Sequence, residues 1–294
     1  MIESYSTPPG TSLPRNLTAL LSPQIDYLVS CRPLSTSTGN AIRWLKLLIN
    51  DVDIETPEER AKADLCDAID GFIRERITVA DQVIATTASS KIKDGDTILT
   101  FAKSNVVAKT LLQAHSSGTK FKVVIIDSRP LFEGRNLARN LVNAGLDVQY
   151  SLTHATSHLM KSVTKVFIGA HAMFSNGRLY SRIGTAIIAM TAKNLAKPVI
   201  VCCESVKFTD RVALDSIVTN EVVPPDGLLL PRREANNGAE KKQSLAGWQD
   251  LPNLQLLNLM YDVTPANYID MVITEYGSLP PSSVMSIHQL SSSA

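Results

Sequence analysis

The feature that most constrains the fold is a series of short apolar segments that begins near residue 97 and alternates with amphipathic stretches. The stretches NVVAKTLLQAH and TAIIAMTAKNLA have the apolar spacing of helices. Strand, helix and strand in repetition predict a parallel sheet that helices cover on both faces. The apolar segments are TILTF (97–101), FKVVIID (121–127), LDVQY (146–150), KVFIGA (165–170), KPVIVCC (197–203) and LQLLNLMYDV (254–263).

The chain before residue 93 has a different pattern, which is helical throughout. Residues 22–50 are helical in pattern, with a break at CRPLSTSTGN that Pro33 and Gly39 cause. A long helix follows, with Leu65 and Ile77 on its apolar stripe. The fold class is therefore α/β, with a helical part followed by a parallel-sheet part.

The two patterns predict two domains in a chain of 294 residues. We expect an N-terminal helical domain over residues 1–92 and an α/β domain over residues 93–294. Residues 224–247 are polar and rich in glycine and proline, which predicts a surface loop inside the second domain.

Composition argues against several classes of partner. The formal net charge is +1, so no global charge attracts nucleic acid or a membrane surface. The sequence has no apolar run long enough to predict a transmembrane helix, and its first residues lack the apolar centre of a signal peptide. Cys202 and Cys203 lie in an apolar run and are expected to be reduced core thiols, which favours the cytosol.

The common motifs for cofactors and metals are missing. No GxGxxG follows a predicted strand, and neither GxxxxGK[ST] nor GxSxG is present, so no cofactor is predicted. His154 and His158 have a spacing that could hold a metal from a helix, but no third ligand is evident. We therefore expect no metal site, and a surface or capping role for the two histidines.

The segment DSRPLFEGR follows a predicted strand and contains the first candidate for ligand binding. Arg129 at the carboxyl end of that strand could grip a phosphate or a carboxylate with both arms of its guanidinium. It could equally pair inside the chain with Asp127 or Glu133. The residues alone leave both readings open.

The segment GAHAMFSNGRLYSRIGT, residues 169–185, is read as a glycine-punctuated loop between a strand and a helix. Asn176 and Gly177 suit a tight turn, and Arg182 could hold an anion. Thr185 lies at a helix start, where free backbone N–H groups favour an anion. The alternative is that the segment only connects a strand to a helix.

Four segments in this order resemble the regulatory subunits of eukaryotic translation initiation factor 2B, a family related to the methylthioribose-1-phosphate and ribose-1,5-bisphosphate isomerases. The resemblance spans roughly residues 20–290 and, in CRPLSTSTGNAIRWL, GAHA and SRIGT, is greatest to the delta subunits. It implies a helical domain followed by a Rossmann-like α/β domain. The segments are DSRPLFEGR, GAHAMFSNGRLYSRIGT, KPVIVCCESVKF and YDVTPANYIDMVITEYGSLPPSSV.

The resemblance also implies that the isomerase chemistry is lost. Isomerase relatives carry an Asp where His171 lies and a Cys just after the strand that corresponds to TILTF, whereas residues 99–105 contain no cysteine. His171 is expected to titrate near neutrality without a thiol partner. We therefore predict no catalytic residues and a relic ligand pocket, whose residues are Arg129, His171, Asn176, Arg182 and Thr185.

The function that the resemblance implies is that of a regulatory subunit without exchange activity of its own. Its partners would be the alpha and beta regulatory subunits, the catalytic subcomplex of initiation factor 2B, and the alpha subunit of initiation factor 2, phosphorylated or not. The alternatives are an active sugar-phosphate isomerase and a catalytically dead sugar-phosphate sensor.

Overall fold

The computed structural model describes residues 1–53, 55–217, 220–229, 245 and 247–286. A helical part precedes a part in which strands and helices alternate, as the sequence predicts. A π-helical segment, Arg74–Val79, joins the third helix to the fourth. The α-helices within the described ranges are α1 (Leu13–Cys31), α2 (Thr36–Asn50), α3 (Glu58–Ile73), α4 (Ala80–Ser89), α5 (Asn105–Ser116), α6 (Gly134–Asn143), α7 (Thr156–Leu159) and α8 (Thr185–Asn194).

The strands of the same ranges form a seven-stranded sheet and a four-stranded sheet. The strands of the larger sheet are β1 (Thr97–Phe101), β2 (Lys122–Asp127), β3 (Asp147–Leu152), β4 (Lys165–Gly169), β7 (Val199–Cys202), β10 (Met271–Thr274) and β11 (Gly277–Leu279). Those of the smaller sheet are β5 (Ala172–Phe174), β6 (Leu179–Arg182), β8 (Phe208–Thr209) and β9 (Tyr261–Thr264).

The larger sheet has the strand order β11-β10-β7-β4-β1-β2-β3. The neighbours from β10 to β3 are parallel, and β11 pairs antiparallel with β10 at the edge. Counted along the chain, the six parallel strands stand in the order 3-2-1-4-5-6, which is that of the doubly wound dinucleotide-binding folds. The predicted α/β class with a Rossmann-like sheet is confirmed.

Two predictions about the second half of the chain are wrong. The segment over residues 169–185 is not a loop, because β5 and β6 form a hairpin around its Asn-Gly turn. The strand expected within 254–263 is β9, which pairs with β6 in the smaller sheet, while β10 supplies the sixth parallel strand. Apolar character marks a strand but does not say which sheet the strand joins.

Helices cover both faces of the larger sheet. Neighbouring β1 residues point to opposite faces, and both Ile98 and Leu99 are fully buried. Ile98 packs with residues of α4, α5 and α6, including Leu111, whereas Leu99 packs with residues of α7 and α8, including Ile188. Each such side chain contributes roughly 1.5–3 kcal/mol by burial. This two-sided burial explains why the strands read as continuous apolar runs.

The helical part has a small core of its own, built around Leu17, Ile49 and Leu65. Helix α4 packs instead on the sheet together with α5, so the helical region bridges both cores. The domain division at residue 92 stays a prediction. Ile77, expected on the apolar stripe, is 46% exposed, because the wider π-helical turn shifts the register of the stripe.

The segment CRPLSTSTGN fastens the helical part to the α/β part. The side chain of Asn40 donates hydrogen bonds to the backbone oxygens of Val206 and Phe208, at 2.9 and 2.8 Å. Arg32 forms a two-pronged ion pair with Glu221, at 2.9 and 3.2 Å. The break between α1 and α2 therefore also connects the helical part to the α/β part.

The buried position predicted for two of the cysteines is confirmed. Cys202 and Cys203 are buried free thiols, and burial raises the pKa of Cys202 to about 12. His154 and His158 are exposed, and the described side chains include no cluster of three or more potential metal ligands. None of the described helices combines the length and apolarity that a bilayer crossing requires. Of the predicted loop 224–247, residues 230–244 and 246 lie outside the described ranges.

Replacing Asn40 with alanine should lower the free energy of unfolding by about 1–3 kcal/mol, because two carbonyl oxygens lose their donor. Asn50→Ala is the matched control, since Asn50 is exposed at the end of the same helix and should change stability by less than about 0.5 kcal/mol. Urea unfolding of both variants measures the difference. Equal effects would show that Asn40 does not fasten the two parts.

Candidate functional site

The candidate site lies where the strand order reverses between β1 and β4, which is where open α/β sheets place their ligands. Residues 102–105 follow β1, and Ala170 and His171 follow β4. The two segments approach so closely that a Cβ on Gly169 would lie 2.3 Å from the Oγ of Ser104. Glycine is therefore required at this position.

Two cavities open at this end of the sheet. The switch-point cavity, of about 490 Å³, lies at the ends of β1 and β4, and the β2 cavity, of about 360 Å³, lies at the end of β2. Ala102, Glu133 and Arg182 line both and form the wall between them. The switch-point cavity is also lined by Lys103, Ser104, Asn105, His171, Glu204, Lys207 and Tyr261, and the β2 cavity by Ser128, Arg129, Leu131, Pro224, Asn258 and Met260.

His171 faces the switch-point cavity with its ring against an aromatic neighbour. The centroids of the His171 and Tyr261 rings are 4.4 Å apart. Burial, together with the positive charges of Arg182, Lys207 and Arg32, lowers the pKa of His171 to about 4. The expectation that His171 titrates near neutrality is therefore wrong, and the imidazole is neutral at pH 7.

Arg182 holds a carboxylate of its own chain. Its Nε donates to Oε2 of Glu133 at 2.9 Å, and its Nη2 donates to Oε1 at 2.8 Å. This fork is the arrangement with which arginine binds a ligand carboxylate or phosphate. The anion predicted at Arg182 is thus supplied by the segment DSRPLFEGR.

The backbone N–H groups at the start of α8 also donate to a carboxylate of the same chain. Oδ2 of Asp262 accepts hydrogen bonds from the backbone N–H groups of Gly184 and Ala186, at 2.7 and 3.0 Å. The free N–H groups expected at this helix start therefore already bind a carboxylate that β9 carries. Burial raises the pKa of Asp262 to about 6.

Arg129 is exposed at the rim of the β2 cavity. The internal pairing considered for it does not occur, because Asp127 accepts from the hydroxyl of Tyr150 at 2.9 Å and Glu133 pairs with Arg182. Among the described residues, the guanidinium of Arg129 has no hydrogen bond or ion pair. Arg129 is therefore the candidate residue that is available to a ligand.

Asn176 and Thr185 line neither cavity. The Asn176 side chain donates to the backbone oxygen of Ala213 at 2.9 Å, and Gly177 adopts a left-handed φ of 74° in the turn. The Thr185 hydroxyl donates to the backbone oxygen of Arg182 at 2.6 Å. Of the five predicted pocket residues, His171 and Arg182 meet at one cavity and Arg129 and Arg182 at the other.

Sequence reasoning missed two groups of the switch-point cavity. Lys207 and Glu204 form an ion pair with 2.7 Å between Nζ and Oε2, and burial raises the pKa of Glu204. Their spacing of three residues in ESVKF was the available signal. The capping role of Asp262 had no signal, because Asp262 lies 78 residues from Gly184.

Comparison of the sequence with known protein families gives a match over most of the chain. A sequence model of the initiation factor 2 subunit family, IF-2B, matches residues 1–281. The chain belongs to the initiation factor 2 subunit family. The match covers both the helical part and the parallel sheet, as the resemblance implied.

Two relatives within this family are informative. The chain is 48% identical over 287 residues to "Translation initiation factor eIF2B subunit delta" of Schizosaccharomyces pombe, covering 98% of this chain and 61% of that protein. It superimposes with a TM-score of 0.81, at 40% identity, on a chain of the crystal structure of the tetrameric eIF2B-beta2-delta2 complex from C. thermophilum, covering 93% of this chain and 81% of that chain. The chain therefore spans about three fifths of the length of the first relative.

The chain is also similar to an enzyme. It is 30% identical over 265 residues to "Ribose 1,5-bisphosphate isomerase" of Pyrococcus furiosus, covering 88% of this chain and 76% of that protein. This similarity agrees with the relation to the isomerases that the motifs implied. The similarity to the delta subunit is considerably higher.

Replacing Asp262 with asparagine tests the buried carboxylate at the start of α8. Because the folded-state pKa of about 6 lies above the ordinary value of 3.8, folding favours the protonated form. The contribution of Asp262 to the free energy of unfolding of the wild type is full below about pH 4 and is lost as the pH rises through 6. The stability of the variant relative to wild type should therefore rise by roughly 2–3 kcal/mol from pH 4 to pH 7. Denaturant unfolding at both pH values measures it, and a difference independent of pH would contradict it.

Proposed function

We propose that this chain is a non-catalytic regulatory subunit, of the delta type, of the guanine nucleotide exchange factor for eukaryotic initiation factor 2. The observation that carries the proposal is the 48% identity to a delta subunit over 98% of the chain. Since the chain spans 61% of that relative, the activity of the complete protein is part of the proposal.

The proposed partners are the beta and alpha regulatory subunits and the catalytic subcomplex of the same factor. The similar C. thermophilum chain belongs to a tetramer of two beta and two delta subunits, which supports pairing with a beta subunit. In the proposed assembly the subunit contacts the alpha subunit of initiation factor 2 and helps sense its phosphorylation. No direct contact with nucleic acid or a membrane is proposed, and the proposed location is the cytosol.

The chemistry of the crevice supports a subunit that is not an enzyme. Moving a proton between adjacent sugar carbons needs a positioned acid and base. Residues 102–105 supply no thiol, and His171 is neutral with its ring against Tyr261. The relic pocket of Arg129, His171, Asn176, Arg182 and Thr185 stays a prediction, as does the division at residue 92.

Native mass spectrometry of the chain mixed with beta and alpha subunits tests the proposal. We expect a discrete hetero-oligomer that contains all three subunits, because a delta-type chain should complete the regulatory core. The chain alone and each pairwise mixture serve as controls, since they separate specific assembly from aggregation.

Two outcomes would contradict the proposal. A homodimer that ignores the beta and alpha subunits would leave the chain without its proposed partners. Turnover of ribose 1,5-bisphosphate that His171→Ala abolishes would identify an isomerase instead. Calorimetric binding of sugar phosphates without turnover would favour the sensor alternative.

A further inference from the structure

We propose that Glu133 takes, within the chain, the place of a ligand's anionic group and closes the crevice at the strand ends to small phosphate-bearing molecules. This inference concerns the isolated chain and does not rest on the proposed function. According to this inference, one side chain excludes phosphate from a pocket that otherwise keeps its cationic groups.

The first argument is the geometry of the ion pair. Both carboxylate oxygens of Glu133 accept hydrogen bonds from two nitrogens of the Arg182 guanidinium, at 2.9 and 2.8 Å. A phosphate would engage the same two donors in the same parallel fashion. The carboxylate and a phosphate therefore compete for one binding edge of Arg182.

The second argument is the position of the pair. Glu133 and Arg182 line both the switch-point cavity and the β2 cavity, so the ion pair divides one crevice into spaces of about 490 and 360 Å³. A Glu133 side chain that releases Arg182 would open part of the wall between the cavities and remove the competing charge. The joined space would then run along the ends of β1, β2 and β4.

The third argument is that donors remain unused beside the pair. The Nη1 atom of Arg182 is buried and has no hydrogen-bond partner in the described part of the chain. Arg129, which lines the β2 cavity, is exposed and has no partner among the same residues. The crevice thus keeps cationic donors that a phosphate could engage once the carboxylate is neutral.

Glu133 is the internal anion that can be tested most directly. Asp262 and Glu204 also occupy anion-binding groups near the crevice, at the start of α8 and at Lys207, but both are buried. The side chain of Glu133 is 33% exposed, and that of Arg182 is 26% exposed. Glutamine at position 133 keeps the size of the side chain and one accepting oxygen while it removes the charge.

The test is a titration of inorganic phosphate into wild type and Glu133→Gln, in which isothermal calorimetry and phosphorus NMR measure binding. We expect phosphate to bind Glu133→Gln roughly tenfold more tightly than wild type, because the released guanidinium charge is no longer neutralised. Adding Arg182→Gln to the first variant should abolish the gain. Glu59→Gln is the control, since Glu59 is an exposed residue of α3 and the change in net charge is the same.

Each other outcome overturns the inference. Equal affinity of wild type and Glu133→Gln would show that the carboxylate does not compete with phosphate. An equal gain in Glu59→Gln would assign the effect to net charge. Glu133→Ala is measured in parallel with circular dichroism, and loss of folding in both Glu133 variants would make Glu133 a structural residue rather than a block to ligands.

Discussion

Both faces of the parallel sheet are covered by helices, and the other features of the chain depend on this burial. Ile98 and Leu99, neighbours in β1, point to opposite faces and are both fully buried. Most residues inside the strands are therefore apolar, with the fully buried Thr100 of β1 as an exception, and polar side chains such as Lys103 and His171 follow the strand ends. The strand order then brings the ends of β1 and β4 together and creates a crevice, whether or not the crevice serves a reaction.

The crevice combines the backbone of a binding site with an internally neutralised set of charges. Gly169 and Gly177 are required by a close approach and by a left-handed turn, so they persist without any ligand. Glu133 and Asp262 meanwhile occupy the guanidinium of Arg182 and the N-terminus of α8. A subunit with the proposed scaffold role needs this backbone geometry but does not need free groups that bind an anion, and both anion-binding groups are occupied here.

The sequence predicts the fold class well because local periodicity reports burial. The apolar runs identify β1, β2, β3, β4 and β7, and the helical spacing of apolar residues identifies the helical part that precedes them. The sequence does not predict pairs that the fold brings together, such as Glu133 with Arg182, which lie 49 residues apart. For the same reason the neutral state of His171 was missed, since its low pKa depends on burial and on cations from distant segments. The sequence does not reveal the hairpin of β5 and β6, because these strands have only three and four residues and β6 also contains polar residues.

The most direct test of the scaffold account is nucleotide exchange on initiation factor 2 by the factor assembled with and without this chain. Exchange should persist in the catalytic subunit alone, and inhibition by phosphorylated initiation factor 2 should require the assembly that contains the chain. That pattern would place the chain in the regulatory core. Inhibition of the same strength in assemblies that lack the chain would contradict the account, because regulation would then not depend on this subunit.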